Sequence, residues 1–343
     1  MRRRESQRGF NLLELTVVLG IISVLMIVIY TMIEETMRTT LFNESHNDLA
    51  ILSQGAVNTL QNEVLQTKMV FQEDTLGASY RTALRLPTQY PVWTDSFLPV
   101  IQPATSINPD TTPRYTGNSM LLARQLPPLR VTYDHDGNNA TAEIEFVADR
   151  YVFEYVYLTP LTSPSFAGSG RSLDLINMTS VPYADYFQLV SLGSTAISRI
   201  VPKLIAAGIA RAWDPGQPLA SAFYALSDAT DGTFNAAISN ARIDNARAKS
   251  LLPGLRGGRI SGKMSYSVAF NPTAPAQPYP LRVPIRLFAP TVSGRPGFPS
   301  GFEVKIAGPS GNRQVMTRLV LMSHYGVKSY ESQQGFVTTA ARF

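Results

Sequence analysis

The apolar and polar positions divide the chain into stretches of different period. From Leu15 to Ile33 (LTVVLGIISVLMIVIYTMI) there is no charged residue, with Glu14 on one side and Glu34 and Glu35 on the other. Counted from Phe10, this predicts a helix of about 36 Å at about 1.5 Å per residue, enough for a hydrocarbon core of roughly 30 Å with a modest tilt. Beyond it the apolar positions thin to Leu49, Leu52, Ala56, Leu60 and Val64, at three- and four-residue steps. No proline occurs before Pro87, so the helix is expected to run to about Phe71, a stalk of about 90 Å whose second half lays its stripe on a β-sheet. The polar NESHND at 43–48 is either an interruption or a solvated stretch.

From Asp74 to Pro128 the proline-studded sequence predicts a long irregular loop with short strands. A meander follows, with strands at Leu129–Tyr133, Thr141–Val147 and Tyr151–Leu158. In the second strand Ala142, Ile144 and Phe146 face the core and Thr141, Glu143 and Glu145 face water, giving a sheet with one wet face. Helical spacing returns at 194–252: Ile197, Ile200, Val201, Leu204, Ile205 and Ile209 share a face, with Pro202 at a bend or start. A second helix is expected from Phe234 through Ile238 and Ala241, after the Asp231/Thr233 capping region. Further strands are expected at Lys263–Phe270, Leu281–Phe288, Phe302–Ile306 and Val315–Met322, with a turn-rich loop at 292–301. The expected fold class is α+β, a long N-terminal helix packed on an antiparallel head with a helical insertion. Its organisation reads as a leader at 1–9, a membrane helix at 10–33, an amphipathic stalk at 34–72 and a head at 73–343.

Composition changes this picture in two places. With 343 residues, 44% hydrophobic and 16% charged, the chain can bury a sizeable core. Having no cysteine, it has neither disulfides nor thiolate chemistry. The net charge of +5 is concentrated at the start: MRRRESQRG holds four Arg against one Glu, leaving 26 basic and 24 acidic residues interspersed elsewhere. That distribution argues against a nucleic-acid partner. It places a basic cluster before the apolar run, so the N-terminus is expected to stay cytoplasmic and the head to be exported.

Two details exceed what a plain signal anchor needs. Glu14 lies just inside the apolar stretch, where an ionised carboxylate costs about 3 kcal/mol on insertion scales. Gly9 separates the basic leader from Phe10, and cleavage after it would create an ammonium four residues before that carboxylate. Among staggered parallel helices, the ammonium of one subunit would neutralise the Glu14 of the next. The segment RGFNLLELTVVLGIISVL resembles the processing and assembly motif of type IV pilins and type II secretion pseudopilins. The resemblance implies cutting between Gly9 and Phe10 by a prepilin peptidase, N-methylation of Phe10, and use of Glu14 for recruitment into a helical filament. It implies as partners other pilin-like subunits, an inner-membrane assembly platform and the lipid bilayer. The implied location is the inner membrane, single-pass, before incorporation into a pilus or pseudopilus. Asn11 stands where Thr is commoner, and Gly20 where larger apolar residues are frequent. The large head and the stretch LAILSQGAVNTLQNEVLQTK are similar to those of J-type pseudopilins and W-type minor pilins, which suits a tip or initiation complex.

Candidate chemistry elsewhere is sparse. Asp134, Asp136 and Asn138 in DHDGNN imitate the start of a Ca²⁺ loop but lack its distant Glu, and Asp-Gly between strands is first a hairpin signal. The three histidines, His46, His135 and His324, are isolated. There is no nucleophile elbow or Walker A motif, and GSGR at 168–171 is too short for a phosphate cradle. Tyr151, Phe153, Tyr155 and Tyr157 alternate as core or cross-strand packing rather than as a ligand platform. The expectation is therefore a non-enzymatic chain without a cofactor. A membrane-anchored receptor or enzyme, and a pilus-tip adhesin or DNA-binding minor pilin, remain as alternatives.

Overall fold

The computed structural model describes residues 12–94, 96–105, 107, 115–135, 142–160, 173–234, 242–252, 264–268, 301–325 and 328–341. It is a mixed α+β protein with a long N-terminal helix and an antiparallel-rich sheet. Two units divide between Asp48 and Leu49.

Helix α1 spans Leu12–Leu65. Up to Asp48 it forms a unit by itself, and residues 43–48 are helical rather than an interruption. From Leu49 on it belongs to the head, where Leu49, Ala56, Leu60 and Val64 are buried, as the three- and four-residue spacing requires. The helix stops at Leu65, short of Phe71, because Thr67–Phe71 forms strand β1. This segment pairs antiparallel with residues 121–124, which satisfies its backbone outside the helix.

The proline-rich stretch contains a helix the sequence reading missed. α2 (Thr75–Ala83) starts where the Asp74 carboxylate accepts the Gly77 N–H at 2.8 Å, an N-cap that satisfies one orphan donor. Strand β2 then runs Met120–Tyr133 and crosses Pro127 and Pro128 with a register shift between Leu126 and Leu129. Its partner β3 is one strand, Ile144–Pro160, so the expected three-stranded meander is a long hairpin. β4 (Leu173–Ser180), β5 (Tyr183–Asp185), α3 (Tyr186–Val190) and α4 (Ser194–Ala206) follow. Next come β6 (Arg211–Trp213), β7 (Phe223–Ala225), β8 (Asn245–Ser250) and β9 (Met264–Val268). β10 (Phe302–Ala307), β11 (Arg313–Tyr325) and β12 (Lys328–Ala341) complete the described elements. The pairing of β5 with β6 is parallel; the other pairings among the described strands are antiparallel.

The expectation of one wet face fails at the centre of the sheet. β4 is buried throughout, and β3 is buried from Tyr151 to Thr159. One face meets α1, with Leu122, Val156 and Leu175 against Leu60 and Val64. The other carries Tyr151, Phe153, Tyr155 and Tyr157 under a second layer from α2 and β6–β7, including Tyr80, Trp213 and Phe223. Its aromatic rings meet edge-on, as Phe153 does with Trp213 at 5.1 Å, and Trp213 donates to the Tyr80 hydroxyl at 3.1 Å. Water reaches the hairpin tip, where Glu143 and Glu145 are exposed as expected. Ala142 and Ile144, expected in the core, are exposed there too, and Phe146 is half-buried.

The region expected to be a helical insertion is mixed. α4 buries Ile197, Ile200, Val201 and Leu204 against Val131, Ala148 and Leu226, while Ile205 faces out. It starts at Ser194 and continues through Pro202, so Pro202 is not its start. β6, β7 and β8 occupy much of the remainder; the positions Ile238 and Ala241 of the expected second helix lie outside the described residues. So do Leu281–Phe288, the loop at 292–300 and GSGR at 168–171.

Candidate functional site

Glu14 sits in the first turn of α1, where the positive end of the helix dipole favours a carboxylate. The following apolar side chains from Leu15 to Ile33 project outward: Ile22 is 49% exposed and Ile27 64%. The Ser and Thr hydroxyls in this run bond within the helix. Thr16 Oγ1 donates to the Leu12 carbonyl at 2.6 Å, Ser23 Oγ to Leu19 at 2.8 Å and Thr31 Oγ1 to Val28 at 2.8 Å. Such internal bonding is what a hydrocarbon solvent demands, since it offers the backbone and hydroxyls no partner. Among the described residues, α1 is the one helix long and apolar enough to cross a membrane. Gly9 and Phe10, the expected cleavage and methylation positions, lie outside the described residues.

A second constellation lies in the head, between the last turns of α1 and the sheet. Glu63 from α1 accepts the Asn177 Nδ2 of β4 at 2.5 Å. Glu154 from β3 takes two bonds on one oxygen from Arg124 of β2, at 2.8 Å from Nε and 2.5 Å from Nη2. Arg124 Nη1 reaches Gln66 Oε1 at 3.0 Å, tying the same guanidinium to the end of α1. Lys249 of β8 stands opposite Asn177 in the strand register. Alternation explains the convergence: Glu154 and Val156 share the face of β3 that α1 covers, and the Asn177–Val156 pairing puts Asn177 there too.

The electrostatics are unusual for glutamates. Glu63 and Glu154 are 8% and 1% exposed. Glu63 Oε2, Glu154 Oε2 and Asn177 Oδ1 are buried and without a hydrogen-bond partner. Burial is the main cause that pushes the Glu63 carboxyl up to about 8, and the Glu154 carboxylate adds to it; Arg124, Lys249 and the Asn177 amide act against them. Chemically the cluster can store a proton near neutrality.

The remaining candidates are dispersed. Asp134 is held by Arg199 of α4 at 3.1 Å, an ion pair between the hairpin tip and the helical lobe, while Asp136 and Asn138 lie outside the described residues. Among the described residues no group of three or more His, Asp or Glu stands together as a metal cluster. His46, on α1, and His135, just past the end of β2, are both exposed. The aromatic row of β3 is core, as its strand period implied.

Glu63 and Glu154 escaped the sequence reading because each looks like an ordinary surface charge. A signal was nonetheless present for Glu154: it interrupts YVFEYVY, an otherwise unbroken aromatic and β-branched run of the kind buried on both faces. Comparison with protein-family models, curated proteins and solved structures finds no match for the chain.

Proposed function

We propose that the chain is a non-enzymatic minor pilin-like subunit, cleaved by a prepilin peptidase and assembled through its N-terminal helix into a type II secretion pseudopilus or type IV pilus. A tip or initiation position suits its large head. The observation that carries this reading is the order of residues at the N-terminus: a basic leader, Gly9, Phe10, Glu14 and an uncharged run. The outward apolar side chains of α1 support it, because they leave surface for lipid before assembly and for neighbouring helices after it. In this scheme the Glu14 carboxylate receives the ammonium of Phe10 from an adjoining subunit, and desolvation makes that pairing selective for correctly staggered neighbours. Extraction is driven by a cytoplasmic ATPase acting through the membrane platform.

Mass spectrometry of the chain from cells with an active peptidase tests the processing step. The expected mature N-terminus is methylated Phe10, and Gly9→Val should leave the precursor intact; a wild-type chain still beginning at Met1 overturns the assignment. Glu14→Ala should spare cleavage and reduce incorporation into filaments, and normal incorporation would remove the charge-neutralisation step.

A further inference from the structure

Between α1 and the sheet, the cluster of Glu63, Glu154, Asn177 and Arg124 leaves buried acceptors unfilled. Arg124 gives three of its five N–H groups to one Glu154 oxygen and to Gln66, and one N–H of the Asn177 amide goes to Glu63 Oε1. Three buried oxygens, one on each carboxyl and one on the amide, receive nothing. A buried acceptor without a donor is destabilising, and a second buried negative charge beside Glu154 is more so. One added proton answers both, because it turns an oxygen of Glu63 from acceptor into donor and removes its charge. We propose that Glu63 carries this proton as a neutral carboxylic acid, and that its loss in mildly alkaline conditions loosens the last turns of α1 from the sheet, making this joint a pH-sensitive latch.

The groups facing Glu63 come from every neighbouring strand. Glu154 on β3 opposes its ionisation. Arg124 on β2, Lys249 on β8 and the Asn177 amide on β4 favour it. Arg124 is bonded to Glu154 rather than to Glu63, and Lys249 is exposed to water. With that guanidinium committed elsewhere, Glu63 is the member for which burial favours the neutral form. The Glu63 carboxyl lies near 8 in the fold against 4.5 ordinarily. A raised carboxyl contributes stability that is complete below the ordinary value and is lost as pH rises through the folded one. The folded chain thus holds one more proton than the unfolded chain from about 4.5 to about 8, and the unfolding constant from this group rises by up to about tenfold per pH unit in that window.

The latch does not depend on the pilin-like reading; it concerns only the head. The test uses the full chain in detergent micelles, with denaturant unfolding from pH 5 to 9 and amide hydrogen exchange along Val57–Leu65. Glu63→Gln, a permanently neutral isostere, should remove up to tenfold per pH unit from the pH dependence. At pH 9 it should exchange at least tenfold more slowly than wild type in that segment, with the difference shrinking steadily as pH falls toward 5. Glu154→Gln should leave Arg124 without its carboxylate and not reproduce this effect. An unchanged pH dependence in Glu63→Gln overturns the latch, and removal of that dependence by Glu154→Gln alone would put the proton on the other carboxyl and overturn the assignment to Glu63. Infrared spectra of the wild type give a reading independent of how the variants fold: a protonated carboxyl stretch present at pH 6 and gone by pH 9 is expected, and its absence at pH 6 refutes the proposal.

Discussion

The two ends of α1 are built from similar material and reach opposite solutions. Near its start, Glu14 precedes nineteen uncharged residues whose large apolar side chains face outward. Near its end, Glu63 lies beside an apolar stripe, Leu49, Ala56, Leu60 and Val64, that the sheet covers completely. In the second case the chain supplies its own cover and the stripe is narrow, recurring at three- and four-residue steps on one face. In the first the apolar residues surround the helix, so no single sheet can cover them and the cover must be lipid or other helices. The lesson is that the width of an apolar stripe, more than its hydrophobicity, separates a helix that folds onto its own protein from one that needs an external solvent.

Substitutions in the two halves should separate cleanly along this line. The largest effect is expected at Leu60, fully buried against the sheet: Leu60→Ala should cost about 2–5 kcal/mol of head stability, read by denaturant unfolding, and leave membrane partitioning unchanged. Ile22→Lys, in the middle of the uncharged run, should cost roughly 3 kcal/mol of membrane insertion, read as chain lost from the membrane fraction, with head unfolding unchanged. If Ile22→Lys destabilised the head as much as Leu60→Ala, the division between the two halves would be wrong. The smallest effect is expected between them, at the Glu34–Arg38 pair, whose partners are about half exposed. Arg38→Ala should change head stability by less than about 0.5 kcal/mol, since exposed pairs one helical turn apart contribute little.

How much was legible follows the range of the forces involved. The uncharged run, the stripe on α1, the buried face of α4 and the strand period of Tyr151–Tyr157 were readable because each is a local repetition imposed by one element's geometry. α2 was obscured by the prolines that follow it from Pro87 on, although Asp74 offered a capping residue in the right place. β8 (NARAKS) has no apolar alternation to announce it; it is a strand because β4 pairs with it. The second buried face of β3 was misread because Glu143 and Glu145 near the tip suggested a wet side, whereas α2, β6 and β7 close that side over the centre.

The sequence by itself determined the long helix, the placement of Glu14 at the head of an uncharged run, and an α+β head with alternating strands, because these depend on periods of two and 3.6 residues and on charge next to apolar length. Only the tertiary structure decided that Glu63, Glu154, Asn177 and Arg124 meet. They come from four elements separated by up to 114 positions along the chain. Their proton affinities depend on burial and on mutual distance, neither of which exists until the sheet has closed against α1.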